Sequence, residues 1–340
     1  MSEVDRAAMG AAVRQLLGDS LGYLYSAALR VAVRAGVADH LAGGPLTAEQ
    51  LAALGGVQAD HLKRVLRFLA TREVFREDEN GAFHLTTAAG LLRSDSPLAM
   101  GSVVLLLTDE LYWLPAGRLD DTVRKGTTVF DEIFGKPLFD YLADDEERGR
   151  IFHTALDDLS ATEHGGVVAS YDFPETGTVV DVGGGRGGLL HETLVKNPGL
   201  HGVLLDLAPV VAGHRLGADP AIAGRWQAVA GDFFSEMPSG DVYLLKRILH
   251  DWDDENSVRL LRACRNAMSS QGRVLVIDTV VPPGNDPDPS KVSDLAMMIV
   301  FDGKERSEPE LSELFTQAGL QLERIIRTPG TLSIVEASAA

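Results

Sequence analysis

The stretch Thr178-Val179-Val180-Asp181-Val182-Gly183-Gly184-Gly185-Arg186-Gly187-Gly188 decides the fold. It begins as a β-branched apolar run and ends in glycines, which predicts a buried strand feeding a tight turn at the mouth of a helix. Glycine at 183, 185 and 188 removes the Cβ atoms that would hold ligand and helix away from the backbone, and such turns tolerate positive φ. A turn of this kind binds a nucleoside cofactor. The spacing satisfies the dinucleotide fingerprint G-x-G-x-x-G, a weak signal by itself. Asp181, two residues before Gly183, also gives D-x-G-x-G-x-G, and spacing alone does not name the cofactor.

Downstream, apolar strands alternate with helical segments: Thr178 to Val182, Val203 to Asp206, Trp226 to Val229, Val242 to Lys246 and Arg273 to Asp278. That rhythm predicts a doubly wound parallel sheet. Two later apolar segments, Leu322 to Ile326 and Leu332 to Val335, are joined only by a short link built on Thr328-Pro329-Gly330. A link so short cannot make a parallel crossover, so these two should pair antiparallel. Asp206 ends the second strand, where a carboxylate can accept from both ribose hydroxyls; the plainer alternative is a strand-end turn residue.

Upstream, Val13, Leu16, Leu17, Leu21 and Leu24 recur at helical spacing and form a stripe that wants a partner. After Gly43-Gly44-Pro45, Thr47 and Gln50 have the form of a capping box opening a short helix that stops at Gly55-Gly56. A second helix begins near Asp60 with Leu62, Val65, Leu66 and Leu69 on one face. Val74-Phe75 and Phe83-His84-Leu85 then flank an Asn80-Gly81 turn, a hairpin signal. Two short helices and a hairpin describe a winged helix and raise DNA binding, since His61, Lys63, Arg64, Arg67 and Arg72 lie on or just after the second helix. The chain's balance argues otherwise: 31 basic against 49 acidic residues, net −18, disfavours nucleic acid and anionic membranes alike.

With 340 residues and 45% hydrophobic content, the chain can bury a core in more than one domain. The expected division is 1–100 helical and winged-helix, 101–165 helical linker, and 166–340 cofactor-binding. A single cysteine, Cys264, excludes an intrachain disulfide, and its setting in Leu260-Leu261-Arg262-Ala263-Cys264 suggests packing. No apolar run approaches the ~20 residues of a membrane span, and the first residues lack a signal-peptide pattern, so a soluble cytoplasmic protein is expected.

The pattern from Asp181 to Gly187 resembles motif I of S-adenosylmethionine (SAM) dependent methyltransferases. Gly231-Asp232-Phe233-Phe234, the run Leu244-Leu245-Lys246-Arg247-Ile248-Leu249-His250-Asp251-Trp252 and Gly303-Lys304-Glu305-Arg306 extend the likeness. Together, in that order, they resemble the small-molecule O-methyltransferases of the caffeic-acid and bacterial aromatic-polyketide type across nearly the whole chain. The resemblance implies a Rossmann-like α/β sheet with a C-terminal antiparallel strand and an N-terminal helical and winged-helix domain that forms a homodimer. It implies SAM as cofactor, held by Asp181, Gly183, Gly185, Asp206 and Leu207, with Asp232 on the adenine amino group, Phe233 on the adenine face, and Lys246 and Trp252 lining the site.

By the same resemblance His250 is the general base, with Asp278 and Glu305 as acidic partners, and Phe152, Leu156, Met297 and Met298 line the acceptor pocket. Plain core packing is the alternative for Phe233, Phe234 and both methionines. The implied acceptor is a phenolic, polyketide-derived small molecule. A phenol near 10 and an imidazole near 6.5 differ by ~3.5 units, so full proton transfer in water would cost about 5 kcal/mol. A cationic sulfonium and a carboxylate beside the imidazole both narrow that gap. Asp251, Asp253, Asp254 and Glu255 read as the solvated first turn of a helix, and the resemblance implies no catalytic metal. A nicotinamide oxidoreductase would share the glycine turn and Asp206 but leaves His250-Asp251-Trp252 unexplained, and a transcriptional regulator explains only the first hundred residues. A SAM-binding relative performing hydroxylation or decarboxylation stays open, with His250 arguing against it.

Overall fold

The computed structural model describes residues 3–98 and 100–340. Contacts divide them into two units, Met1–Glu110 with Thr154–Leu159 and Leu111–His153 with Ser160–Ala340.

In the first unit the N-terminal stripe is carried by two helices, Glu3–Ser20 and Tyr23–Arg34, because the chain turns at Leu21-Gly22. Its apolar face is uncovered: Leu16 is 67% and Leu17 62% exposed. The capping box forms as expected, with Gln50 N donating to Thr47 Oγ1 and Thr47 N to Gln50 Oε1. It opens the helix Ala48–Gly55, which Gly56 closes in the left-handed region at φ 66°. The helix Ala59–Ala70 buries Leu62, Leu66 and Leu69. Strands β1 (Leu46–Thr47), β2 (Phe75–Glu77) and β3 (Ala82–Leu85) pair antiparallel in the order β1-β3-β2. Asp78 Oδ1 ties the wing turn by accepting from Asn80 N and Ala82 N. Two of these basic residues are engaged within the unit, Arg67 forking onto Glu77 and Arg72 lying over the Tyr25 ring.

The second unit is built on strands β4 (Gly177–Val182), β5 (Leu200–Asp206), β6 (Trp226–Ala230), β7 (Gly240–Lys246), β8 (Met268–Asp278), β9 (Leu320–Arg327) and β10 (Ser333–Ala339). Their order is β6-β5-β4-β7-β8-β10-β9. The first five pair parallel, and β10 runs antiparallel to both β8 and β9. Alternate residues feed two cores: Val180, Leu205, Tyr243 and Val276 face the helices Asp254–Ala267 and Glu308–Ala318. Val179, Leu204, Leu244 and Ile277 face the helix Gly188–Lys196 and the end of the long helix Glu146–Ser170. A sheet covered on both faces accounts for the continuous apolar strands, each large aliphatic side chain contributing roughly 1.5–3 kcal/mol by burial. Cys264 is buried in the first of these cores. Five parallel strands therefore end at one edge, and strand order reverses beside β4, where ligands bind in open α/β sheets.

Candidate active site

β4 runs into a turn in which Gly183, Gly185 and Gly187 hold φ of 64°, 59° and 84°. Gly188 differs from the expectation that it serves the same freedom. It opens the helix Gly188–Lys196, and a Cβ on it would stand 2.5 Å from His164 Cε1, so it is small for packing. A Cβ on Gly185 would meet nothing within 4 Å. Gly185 N donates to Asp206 Oδ2 at 2.8 Å and Leu207 N to Asp206 Oδ1 at 2.7 Å, which pins the strand-end carboxylate toward the open turn. Burial lifts that carboxyl above its usual range. Asp181 lies beneath the turn, buried so closely that a Cβ on Gly184 would be 2.4 Å from its Cγ. Burial, opposed by the charge of Lys246, pushes the Asp181 carboxyl up to about 7.

The loops after β6 and β7 close on the same turn. Phe233 Cε1 would be 3.7 Å, and Ile248 Cδ1 2.5 Å, from a Cβ on Gly183. Phe233 meets Trp252 edge-on at 6.1 Å between centroids. Phe234 is held between Trp252, at 4.7 Å, and the Arg259 guanidinium. Asp232 is exposed beside them. An open glycine face, a pinned carboxylate, an exposed carboxylate and an aromatic wall fit a nucleoside cofactor.

Lys246 ends β7 with its ammonium engaged, 2.7 Å from Glu163 Oε2 and 2.6 Å from Ser160 Oγ. Burial lowers its pKa, against the pull of Glu163. Arg247 forks onto the same carboxylate at 2.5 and 3.2 Å and sits at φ 55°, a strained position for a residue with a side chain. Its N–H donates to Ile277 O at 3.1 Å, holding the start of the loop against β8. Sequence reasoning missed Glu163 and Arg247, because nothing local marks a helical glutamate as the partner of a distant strand end.

The next turn, Leu249–Asp251, carries His250. The imidazole is buried, with Nδ1 3.0 Å from Glu305 Oε1 and Nε2 3.4 Å from Asp251 Oδ1. Glu305 also accepts from Ser293 Oγ at 2.6 Å, and its N–H donates to Asp294 Oδ1 at 3.0 Å. Asp278, buried at the end of β8, acts on the imidazole through charge; its Oδ1 has no hydrogen-bond partner. Burial alone would lower the His250 pKa, but Asp278, Asp251 and Glu305 outweigh it and push it up to about 9. Burial works against ionisation of Glu305 as well, yet the bond from His250 holds its carboxyl below the usual range. The Asp278 carboxyl is raised by burial.

Asp251 corrects the sequence expectation. Asp253 caps the helix Asp254–Ala267 through Asn256 N, and Asp254 and Glu255 occupy its first turn, as read. Asp251 precedes that helix on a separate turn and faces the imidazole, where burial pushes its carboxyl up to about 7. Tyr112, also unread in the sequence, is buried, and burial together with the charge of Asp251 keeps its phenol protonated above the usual range. Among the described residues no group of three or more His, Cys, Asp or Glu side chains could hold a metal ion.

Met297 and Met298 are half-buried on the helix Pro289–Val300, one turn after the Ser293 and Asp294 that bind Glu305. Phe152 is buried on the long helix, edge-on to His153. Leu156 is grouped with the first unit. Leu207 contributes its N–H to Asp206 and exposes its side chain.

The family model for the O-methyltransferase domain matches residues 117–321, and that for the O-methyltransferase dimerisation domain matches residues 19–95. The chain is 40% identical to a phenazine O-methyltransferase of Lysobacter antibioticus, covering 99% of each chain. It is 36% identical to the mitomycin biosynthesis 6-O-methyltransferase of Streptomyces lavendulae, over 96% of this chain and 95% of that one. A solved methyltransferase of calicheamicin biosynthesis, in its SAH-bound form, superposes with a TM-score of 0.89 at 47% identity, covering 100% of both chains. Among the described residues no helix is long and apolar enough to cross a membrane.

Proposed function

We propose, because the chain belongs to the O-methyltransferase family, that it transfers a methyl group from SAM to a phenolic hydroxyl of an aromatic natural product, with His250 as general base. The relatives named for phenazine and mitomycin favour a polycyclic aromatic acceptor. The reading includes a homodimer joined through the N-terminal unit, and a reducing cytoplasm in which Cys264 stays a thiol.

Bound SAM supplies an electrophilic methyl on a cationic sulfur. Gly183, Gly185, Asp206, Asp232 and Phe233 are the residues that would hold it, with Asp181 supporting the turn from below and Lys246 and Trp252 closing the wall. The chain's own chemistry is the removal of a proton from the acceptor. The observation that supports this role is the imidazole held between carboxylates, Nδ1 3.0 Å from Glu305 Oε1 and Nε2 3.4 Å from Asp251 Oδ1, so an acceptor hydroxyl reaching Nε2 competes with Asp251. The surrounding carboxylates also improve the match. With His250 at about 9, the gap to a phenol near 10 shrinks to ~1 unit, about 1.4 kcal/mol, instead of the ~3.5 units of free imidazole.

Incubation with labelled SAM and a panel of phenols, read by product mass, tests the reading. A gain of one methyl on a phenolic oxygen supports it. Hydroxylated or decarboxylated product, or saturable NAD binding at micromolar concentration in competition with SAH, overturns it.

A further inference from the structure

We propose that Arg306 is a positioning residue for methyl transfer, its guanidinium fork fixing the turn that carries His250 and Trp252; this rests on the function proposed above. Nη1 donates to Leu249 O at 3.0 Å and Nη2 to Trp252 O at 2.8 Å, so one planar group grips the carbonyl before His250 and the carbonyl after Asp251. Nη2 also reaches Ser257 Oγ at 3.1 Å, and Asp254 Oδ1 takes Nε and Nη2 at 3.0 and 2.9 Å. The residue is 3% exposed, so its bonds to Leu249 O, Trp252 O and Ser257 Oγ form away from competing water, while Asp254 faces solvent.

The backbone of the same residue completes the grip. Val281 N donates to Arg306 O at 3.0 Å, binding it to the segment that follows Asp278. Glu305, its neighbour, holds the imidazole itself. At Gly303 the chain lies so close to the turn that a Cβ would be 1.9 Å from His250 O. The segment 303–306 is thus a bracket with separate contacts for the base's backbone, the base's ring and the chain after Asp278. Trp252 borders the aromatic wall of the cofactor side through Phe233, so fixing Leu249 O and Trp252 O with one rigid group sets the distance between base and cofactor wall. A guanidinium can do this because its donors are coplanar; an ammonium is a point charge without that geometry.

Full-length Arg306→Lys keeps the charge and loses the fork. Histidine-labelled protein saturated with SAH, with the His250 signal assigned by its loss in His250→Ala, reports the imidazole titration by NMR without any acceptor. In Arg306→Lys the His250 midpoint should fall by about one unit or more as Glu305 shifts off Nδ1. The kcat on the best phenol of the panel should fall on the order of 10²-fold, as expected for a small misplacement, with KM and the SAH Kd changed less than about threefold. A wild-type titration and kcat in Arg306→Lys overturn the proposal, and so does a loss of SAH binding in step with kcat, which marks a general scaffold role.

Should Arg306→Lys fail to fold, Asp254→Asn decides, since Asp254 is a partly exposed counter-ion to the fork. A kcat lowered about three- to tenfold with SAH binding intact supports positioning, and an unchanged kcat and titration overturn it. If no phenol is methylated by wild type, the proposed function fails while the titration still reads Arg306. If methylation proceeds and the titration does not move, Arg306 alone fails.

Discussion

His250 Nδ1 lies 3.0 Å from Glu305 Oε1 while its Nε2 lies 3.4 Å from Asp251 Oδ1, so the imidazole stands between two carboxylates. Ser293 Oγ donates to the same Glu305 oxygen at 2.6 Å, so that carboxylate cannot swing away without losing two partners.

Replacing His250 with alanine should lower turnover on the order of 10²-fold or more while sparing SAH affinity, because the base meets the acceptor and not the cofactor. Glu305→Gln should fall between wild type and His250→Ala, as the amide can hold the ring without its charge. Steady-state rates with isothermal titration of SAH check both. Near-normal rates in His250→Ala at neutral pH would remove proton transfer from this residue.

The raised His250 pKa gives a pH dependence with a definite sign. The proposed base is the neutral imidazole, so kcat/KM should climb about tenfold per unit from pH 7 and level off near 9. The cationic cofactor opposes a second positive charge, so the corresponding midpoint in kcat should lie lower. For stability, a folded pKa of about 9 against an ordinary ~6.5 means a contribution fully present below ~6.5 and lost as pH rises through 9. Asp251, lifted to about 7, acts in the same direction at lower pH. The Tm should therefore decline between pH 6.5 and 9, and less steeply in His250→Ala; a flat scan would contradict the buried carboxylate cluster.

Asp206 takes two backbone N–H groups and faces the open glycine turn. Its replacement by alanine should weaken SAH binding by roughly 1–3 kcal/mol, the range for buried hydrogen bonds left unmade. Calorimetry measures this directly, and an unchanged Kd would move the ribose site elsewhere.

The exposed face of Leu16, Leu17 and Leu21 predicts a two-fold homodimer. Light scattering should give twice the 36.4 kDa chain mass. Deleting residues 1–30 should impair solubility and acceptor turnover more than SAH binding to the folded remainder. A truncated protein that stays soluble, monomeric and active would show the face needs no second copy.

What the sequence made legible follows from the range of the interactions involved. β4, β5 and β7 announce themselves because strands buried on both faces read as unbroken apolar runs, and the Thr47–Gln50 box because its two bonds span three residues. The antiparallel pairing of β9 and β10 follows from the length of their link. The break at Leu21-Gly22 was hidden because the apolar spacing continues across it. Asp251, Glu163 and Arg306 escaped for a different reason. Each takes its role from partners that only tertiary structure supplies, and an acidic residue next to a helix start looks solvated until the turn before that helix is seen to point inward.

The position of β10 bears on how the chain is made. Its seven residues lie between β8 and β9, yet they follow every other strand in sequence. Until β10 is made, the outer edge of β8 therefore stays unpaired and β9 has no strand neighbour. Pairing order and synthesis order oppose each other, so the sheet cannot be completed until β10 has been made, and a long apolar edge stays open to wrong partners until then. A chain cut at Leu332 would keep every residue of the His250 cluster and still lack the strand that joins β9 to the rest.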